Sequence, residues 1–166
     1  KENTNKIKIC LQDWSEYEDL RYKELKNGFV YRCGLEYQYN KLKSNKYLTE
    51  KFLYISVNDK NNLDKSNLKI KKFENFKKND FEINIVNNEY LDFSSYADFY
   101  FKKVEKNKND ILLFMNSSVS TEFNEPIIDN YIDYFNKNKD VGILGISANS
   151  SKYQSLIGIN FNPHIQ

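Results

Sequence analysis

Hydrophobic and polar positions along the chain change period several times, and each change predicts an element. Residues 6–11, KIKICL, alternate polar and apolar and then run apolar, which predicts a first strand entering a covered sheet. Ser15 followed by Glu18 is a capping-box pattern and Asn27-Gly28 a stop signal, so a helix is predicted over 16–26. Leu35, Tyr39 and Leu42, at steps of four and three, predict a second helix within 29–46. The β-branched and aromatic run KFLYISV, 51–57, is bounded by NDKNN and predicts a second strand, with shorter candidates at 68–73 and 81–86.

The second half repeats the alternation. Ala97, Phe101 and Val104 predict a helix over 94–106, with Ser95 and Asp98 as its capping box. DILLFM, 110–115, is almost unbroken in its apolar character and is expected to be a central strand covered on both faces. Asn124, Glu125 and Pro126 start a helix whose apolar stripe is Ile127, Ile128, Tyr131, Ile132 and Phe135, ending near Asn138, and VGILGIS, 141–147, returns as a strand. Strands alternating with helices predict an α/β fold, a mostly parallel sheet flanked by helices with right-handed crossovers. With no repeat or linker, residues 1–166 are expected to be a single domain.

Composition narrows the function classes. A 166-residue chain with 40% hydrophobic content, five Gly, two Pro and two Cys suits an ordinary core and excludes collagen-like, mucin-like and disulfide-scaffold classes. No run approaches the ~20 apolar residues that span a bilayer, and the first residues lack a signal-peptide stretch, so a cytoplasmic or cytoplasm-facing protein without a transmembrane segment is expected. Cys10 and Cys33 sit in apolar or aromatic surroundings and read as packing thiols. The 25 Lys and Arg are interspersed with 23 Asp and Glu, so no nucleic-acid partner is expected. Binding through Lys doublets and stacking aromatics is the rival, and salt dependence would reveal it.

In open α/β sheets, ligands sit beyond the carboxyl ends of the strands. Those tips here are Gln12 and Asp13, then Ser56, Asn58 and Asp59, then 87–92, 116–118 and 147–149, nearly all polar. GxGxxG, GxxxxGK[ST], HExxH, paired CxxC and GxSxG are all missing, and the one histidine, His164, is two residues from the end. Two patches remain. In NNEYLDFSSY, Asp92 stands ahead of a helix and is either a helix cap or an acceptor for base N–H and ribose hydroxyl groups. In LLFMNSSVSTEFNEP, Asn116, Ser117 and Ser118 offer a neutral amide and hydroxyls suited to sugar hydroxyls, or to weak metal ligation.

The order of NNEYLDFSSY, ILLFMNSSV with Pro126 after it, VGILGIS and the terminal FNPHIQ resembles the GT-A glycosyltransferases of bacterial surface-polysaccharide synthesis, especially the rhamnan-synthesis type. The resemblance covers about the second half of the chain. It implies a GT-A, Rossmann-like architecture, incomplete at the C-terminus because the chain stops at Gln166 before the family's catalytic base and acceptor pocket. It implies the donor-binding part of a transferase that moves a sugar from a nucleoside diphosphate to a glycan, at the inner face of the membrane. The matching positions are Asp92, Ser95, Tyr96, Asn116, Ser117 and Ser118 for the nucleotide sugar, with His164 and Gln166 on the acceptor side. Tyr90 replaces the family's usual Gly, and Ser117 replaces an acid found in many members, so any Mg²⁺ or Mn²⁺ would be weakly held. No residue is assigned as metal ligand or base. A noncatalytic nucleotide-binding or protein-interaction module of the same fold is the alternative.

Overall fold

The computed structural model describes residues 7–24, 26–61, 76, 78, 80–105, 110–119 and 125–141. In chain order they form β1 (Ile7–Trp14), β2 (Arg21–Glu24), β3 (Val30–Cys33), α1 (Leu35–Leu42), β4 (Leu48–Val57), β5 (Phe81–Asn87), α2 (Asp92–Lys103), β6 (Ile111–Asn116) and α3 (Glu125–Lys137). The described residues group into two compact units that divide between Asn124 and Glu125. By itself, α3 is amphipathic as its periodicity predicts, with Tyr131, Ile132, Tyr134 and Phe135 half-buried and Asp129, Asn130 and Asp133 exposed. The expected strand at 68–73, and all but Val141 of the one expected at 141–147, lie outside the described residues. No helix among those described is long and apolar enough to cross a membrane.

Four strands form one all-parallel sheet in the order β5-β4-β1-β6. The chain steps outward from β1 to β4 to β5, then returns to the far side of β1 as β6. Helices flank this sheet, as the alternation predicts, and the order is that of a Rossmann-like sheet in which the order of strand addition reverses between β1 and β6. Side chains alternate between the two faces. Cys10, Phe52 and Tyr54 pack against Phe99 of α2 on one face. Ile9, Leu11, Leu53, Ile55 and Val57, the alternate residues of β1 and β4, are buried on the other.

Several expectations need correction. No helix covers 16–26: after β1 the chain turns, and Arg21–Glu24 pairs antiparallel with Val30–Cys33. A tertiary bond outcompetes the local capping pattern, since the Ser15 N–H donates to the Ser56 carbonyl at 3.0 Å, and a tight local turn follows in which the Tyr17 N–H donates to the Trp14 carbonyl at 2.9 Å. Asn27-Gly28 is a hairpin turn, with Gly28 at φ 81°, rather than a helix stop. The second helix is α1, and the residues just before it belong to β3. α2 begins at Asp92, and Ser95 and Asp98 form no capping box; the N-cap is Leu91, with no side-chain cap. Among the described residues β6 borders only β1, and Phe114 is 42% exposed, so the covering of DILLFM on both faces is incomplete at Phe114. β1 lies between β4 and β6 and is buried from Ile7 to Asp13 although it carries Lys8, Gln12 and Asp13.

Those polar residues are compensated. Lys8 Nζ meets Glu50 at 3.1 Å and Asp110 at 3.4 Å. Burial lowers its pKa, but hydrogen bonds and charge from these carboxylates outweigh that and the net shift is upward.

Gly34 joins three elements. It precedes α1 at φ 111°, its N–H donates to the Ser117 carbonyl at 2.7 Å, and a Cβ built on it would lie 2.3 Å from the Asp19 carbonyl oxygen. Gly28 faces open space. Gly34→Ala is therefore expected to cost about 3 kcal/mol or more, from a side chain in a left-handed conformation plus a backbone clash. In a thermal melt that is a fall of about 10 °C, against about 2 to 4 °C for Gly28→Ala.

Candidate functional site

Because the order in which strands are added reverses between β1 and β6, their carboxyl ends open a crevice between them. Gln12 is level with Asn116 across that line, and the Ser117 N–H continues the ladder to the Gln12 carbonyl at 2.8 Å. Successive residues point to opposite faces, so the rim has two halves.

One half faces α2. Asn116 Nδ2 donates to Asp92 Oδ2 at 2.8 Å, while Asn116 Oδ1 accepts the Ser118 N–H at 3.0 Å. An amide holding a carboxylate on one atom and an N–H on the other has a single sensible orientation. Asp92 lies in the first turn of α2, where the helix dipole favours a negative charge. Its other oxygen, Oδ1, takes no hydrogen bond among the described residues. Tyr96 packs edge-on against Phe114 with ring centroids 5.3 Å apart; burial, then the Asp92 charge, push its phenol pKa up.

Beneath this contact runs a buried polar chain. Gln12 Nε2 donates to Ser56 Oγ at 3.2 Å, and Ser56 Oγ is 3.1 Å from Ser95 Oγ. Ser95 and Ser56 are both fully buried, so Ser95 anchors α2 to the sheet instead of facing a ligand.

The other half faces the β2–β3 hairpin. The Ser117 hydroxyl donates to Asp13 Oδ1. Arg21 Nη2 donates to Ser117 Oγ at 3.0 Å and to Ser118 Oγ at 3.2 Å, and Nη1 lies 3.7 Å from Asp13. Nη1 also donates to the Glu18 carbonyl at 2.8 Å, and the guanidinium lies 4.1 Å from the centroid of the Tyr17 ring. The Gln38 amide of α1 donates to the Val119 carbonyl just beyond. Arg21 thus neutralises Asp13 and pins both serines.

Of the residues that the sequence nominates, Asp92 and Asn116 meet directly. Tyr96 stands beside them, Ser117 and Ser118 join Asp13 and Arg21, and Ser95 lies below. His164 and Gln166 fall outside the described residues. Asp59 Oδ1 accepts the Asn61 N–H at 2.9 Å, a local turn bond. Arg21 escapes sequence reasoning because it falls in the stretch that reads as a helix; its one signal is rarity, as one of two arginines beside many lysines.

No family model, curated protein or solved structure matches the chain. The site therefore rests on its own chemistry. A hard divalent cation prefers several oxygen ligands, usually carboxylates. Here the Asp13 carboxylate is turned to Ser117 and Arg21, Asp92 is bonded to Asn116, and among the described residues no three His, Cys, Asp or Glu side chains group together. This donor set does not fit a firmly held Mg²⁺ or Mn²⁺. What it offers is a fixed carboxylate acceptor beside an amide and the partly exposed Ser118 hydroxyl, suited to N–H and O–H groups rather than to phosphate.

The turn before α2 is strained. Leu91, 72% exposed, has φ 54° and ψ −136°, and the Phe93 N–H closes the turn on the Tyr90 carbonyl at 3.2 Å. That geometry favours glycine at the Leu91 position. Leu91→Gly is expected to gain about 1 kcal/mol net, a rise of about 2 to 4 °C in melting temperature, with no gain from Leu91→Ala.

Two buried groups and one half-buried group give an alkaline signature. Burial, then the Asp98 charge, raise the pKa of the Cys10 thiol and the Tyr54 phenol, and Tyr54 also donates to Asp98 at 3.2 Å; Tyr96 shifts the same way. Their folded values lie above the ordinary 9.0 and 10.0, so their contribution is full below those values and is lost progressively as pH rises past them. The urea midpoint is expected to hold to about pH 9 and then fall, each group contributing up to about 1.4 kcal/mol per pH unit. Tyr54→Phe should flatten that fall.

Proposed function

We propose that this chain is the donor-binding α/β domain of a GT-A-type glycosyltransferase, and that the rim between β1 and β6 holds a nucleoside diphosphate sugar. The observation that carries this is the 2.8 Å bond from Asn116 to Asp92, which joins the tip of β6 to the start of α2 at the sheet's reversal point. Asp92 Oδ1 accepts from ribose hydroxyls or a base N–H, and the Ser118 hydroxyl reaches the sugar. A carboxylate repels the diphosphate, so Asp92 serves the nucleoside end. In the complete reaction a carboxylate takes the proton of an acceptor hydroxyl, whose oxygen attacks the anomeric carbon as the nucleoside diphosphate leaves. No described residue is assigned as that base, and no step is routed through a metal.

The bond from Arg21 to Ser117 supports a second reading. With a serine pinned by arginine where many relatives by resemblance carry an acid, the fold would serve as a nucleotide-binding module without transfer.

Thermal shift against UDP, GDP, dTDP and CMP sugars, with and without Mn²⁺, tests both. A donor at a hundred times its Kd adds about 2.7 kcal/mol and should raise the melting temperature by about 5 to 10 °C. Asp92→Ala should abolish the shift. No shift with any donor at millimolar concentration overturns donor binding, and a shift unchanged in Asp92→Ala moves the site elsewhere. A shift without sugar release to water or glycan favours the noncatalytic module.

A further inference from the structure

A second concavity, separate from the rim, follows the flank of α2 beside β5. It is an open trough of about 450 Å³. Ser94, Ala97 and Phe101 line it at helical spacing, so it follows the helix for about 10 Å. Tyr90 stands at the end nearer the start of α2 and Phe101 toward the other, and both rings are mostly in water, 72% and 74% exposed. The backbone that carries Tyr90 is tied to α2, because its N–H donates to Ser94 Oγ at 2.8 Å.

The lining chemistry selects among ligands. Lys60 and Lys102 are matched by Glu89 and Asp98, so the cleft has no excess of positive charge to hold a phosphate chain. Lys102 is also paired with Asp98 along the helix. Amide, carboxylate and ammonium groups around an open trough, with an aromatic face toward each end, match a neutral polyhydroxyl chain. Hydroxyls both donate and accept, and the C–H faces of sugar rings lie flat on aromatic rings.

We propose that this cleft is a carbohydrate-binding groove that seats a short run of the neutral glycan acceptor against Tyr90 and Phe101. The acceptor role rests on the donor-site reading, since Tyr90 lies two residues before Asp92 and a chain in the groove ends near the rim. Carbohydrate binding itself does not rest on it.

The test is to screen the 166-residue chain against an array of neutral and anionic tri- to hexasaccharides and titrate the strongest binder calorimetrically. Tyr90→Ala and Phe101→Ala should each weaken binding by about tenfold or more, while Phe29→Ala, an exposed aromatic on the hairpin turn, should leave it unchanged. Both groove variants remove exposed rings, and an unchanged melting temperature verifies their folding. Failure of every oligosaccharide to bind at millimolar concentration overturns the proposal, as does unchanged affinity in both groove variants, or affinity that collapses with salt as an anion site's would. Donor thermal shifts on the same variants separate the two readings. A donor shift without glycan binding overturns only the groove; glycan binding without a donor shift keeps the groove and removes its acceptor role.

Discussion

Strand β6 pairs with β1, not with the outer edge of β5, and nearly everything at the rim depends on that placement. From Ile7 opposite Ile111 to Gln12 opposite Asn116 the two strands run parallel, and Ser117 extends the ladder by one more bond. Had the fourth strand added beyond β5, the tips of β1 and β6 would be separated by the width of the sheet. Because it returns, the chain opens a gap between two strand ends, and α2 must cross the sheet to reach it. The crossing brings the start of α2 to Asn116.

The alternation of side chains then divides the labour. Asn116 faces α2 and meets Asp92, whereas Ser117 turns to the opposite face and meets Asp13 and Arg21. One half of the rim keeps a carboxylate oxygen open; in the other an arginine that also stacks on Tyr17 holds Asp13 and the buried Ser117, and leaves the Ser118 O–H free to donate. Burial of Gln12, Ser56 and Ser95 in one chain of hydrogen bonds explains how polar residues persist between a helix and a sheet, since each finds a partner. The rim is well held but short of anionic ligands, and that shortage separates it from a site built around a metal ion.

Two helix entries carry tension. Leu91 takes a glycine-like conformation where the chain enters α2, and Gly34 passes close to the Asp19 carbonyl where the hairpin meets α1. Both joints set the entry of a helix beside the crevice. α2 itself is unusual in its outward face: Phe93, Tyr100 and Phe101 are exposed, while Ser95 is buried. Its inner face serves sheet contact through Phe99 and the hydroxyl chain, and its flank borders the groove.

By itself the sequence determined the class of the fold and most of its elements. Period-two and continuous apolar runs marked β1, β4, β5 and β6, and 3.6-residue periodicity marked α1, α2 and α3, because those signals are local and survive without neighbours. It also named Asp92, Asn116, Ser117 and Ser118 as polar groups at strand and helix ends. Tertiary structure decided what local signals cannot carry. Residues 16–24 carry a capping box, yet bonds from Ser15 to Ser56 and from Arg21 to Ser117 join positions far apart in the chain and outweigh a helix propensity worth only tenths of a kcal/mol per residue. The same holds for strand order: hydrophobicity marks a strand but not its neighbours, and that β1 lies between β4 and β6 depends on pairing across the sheet, which only the folded chain supplies.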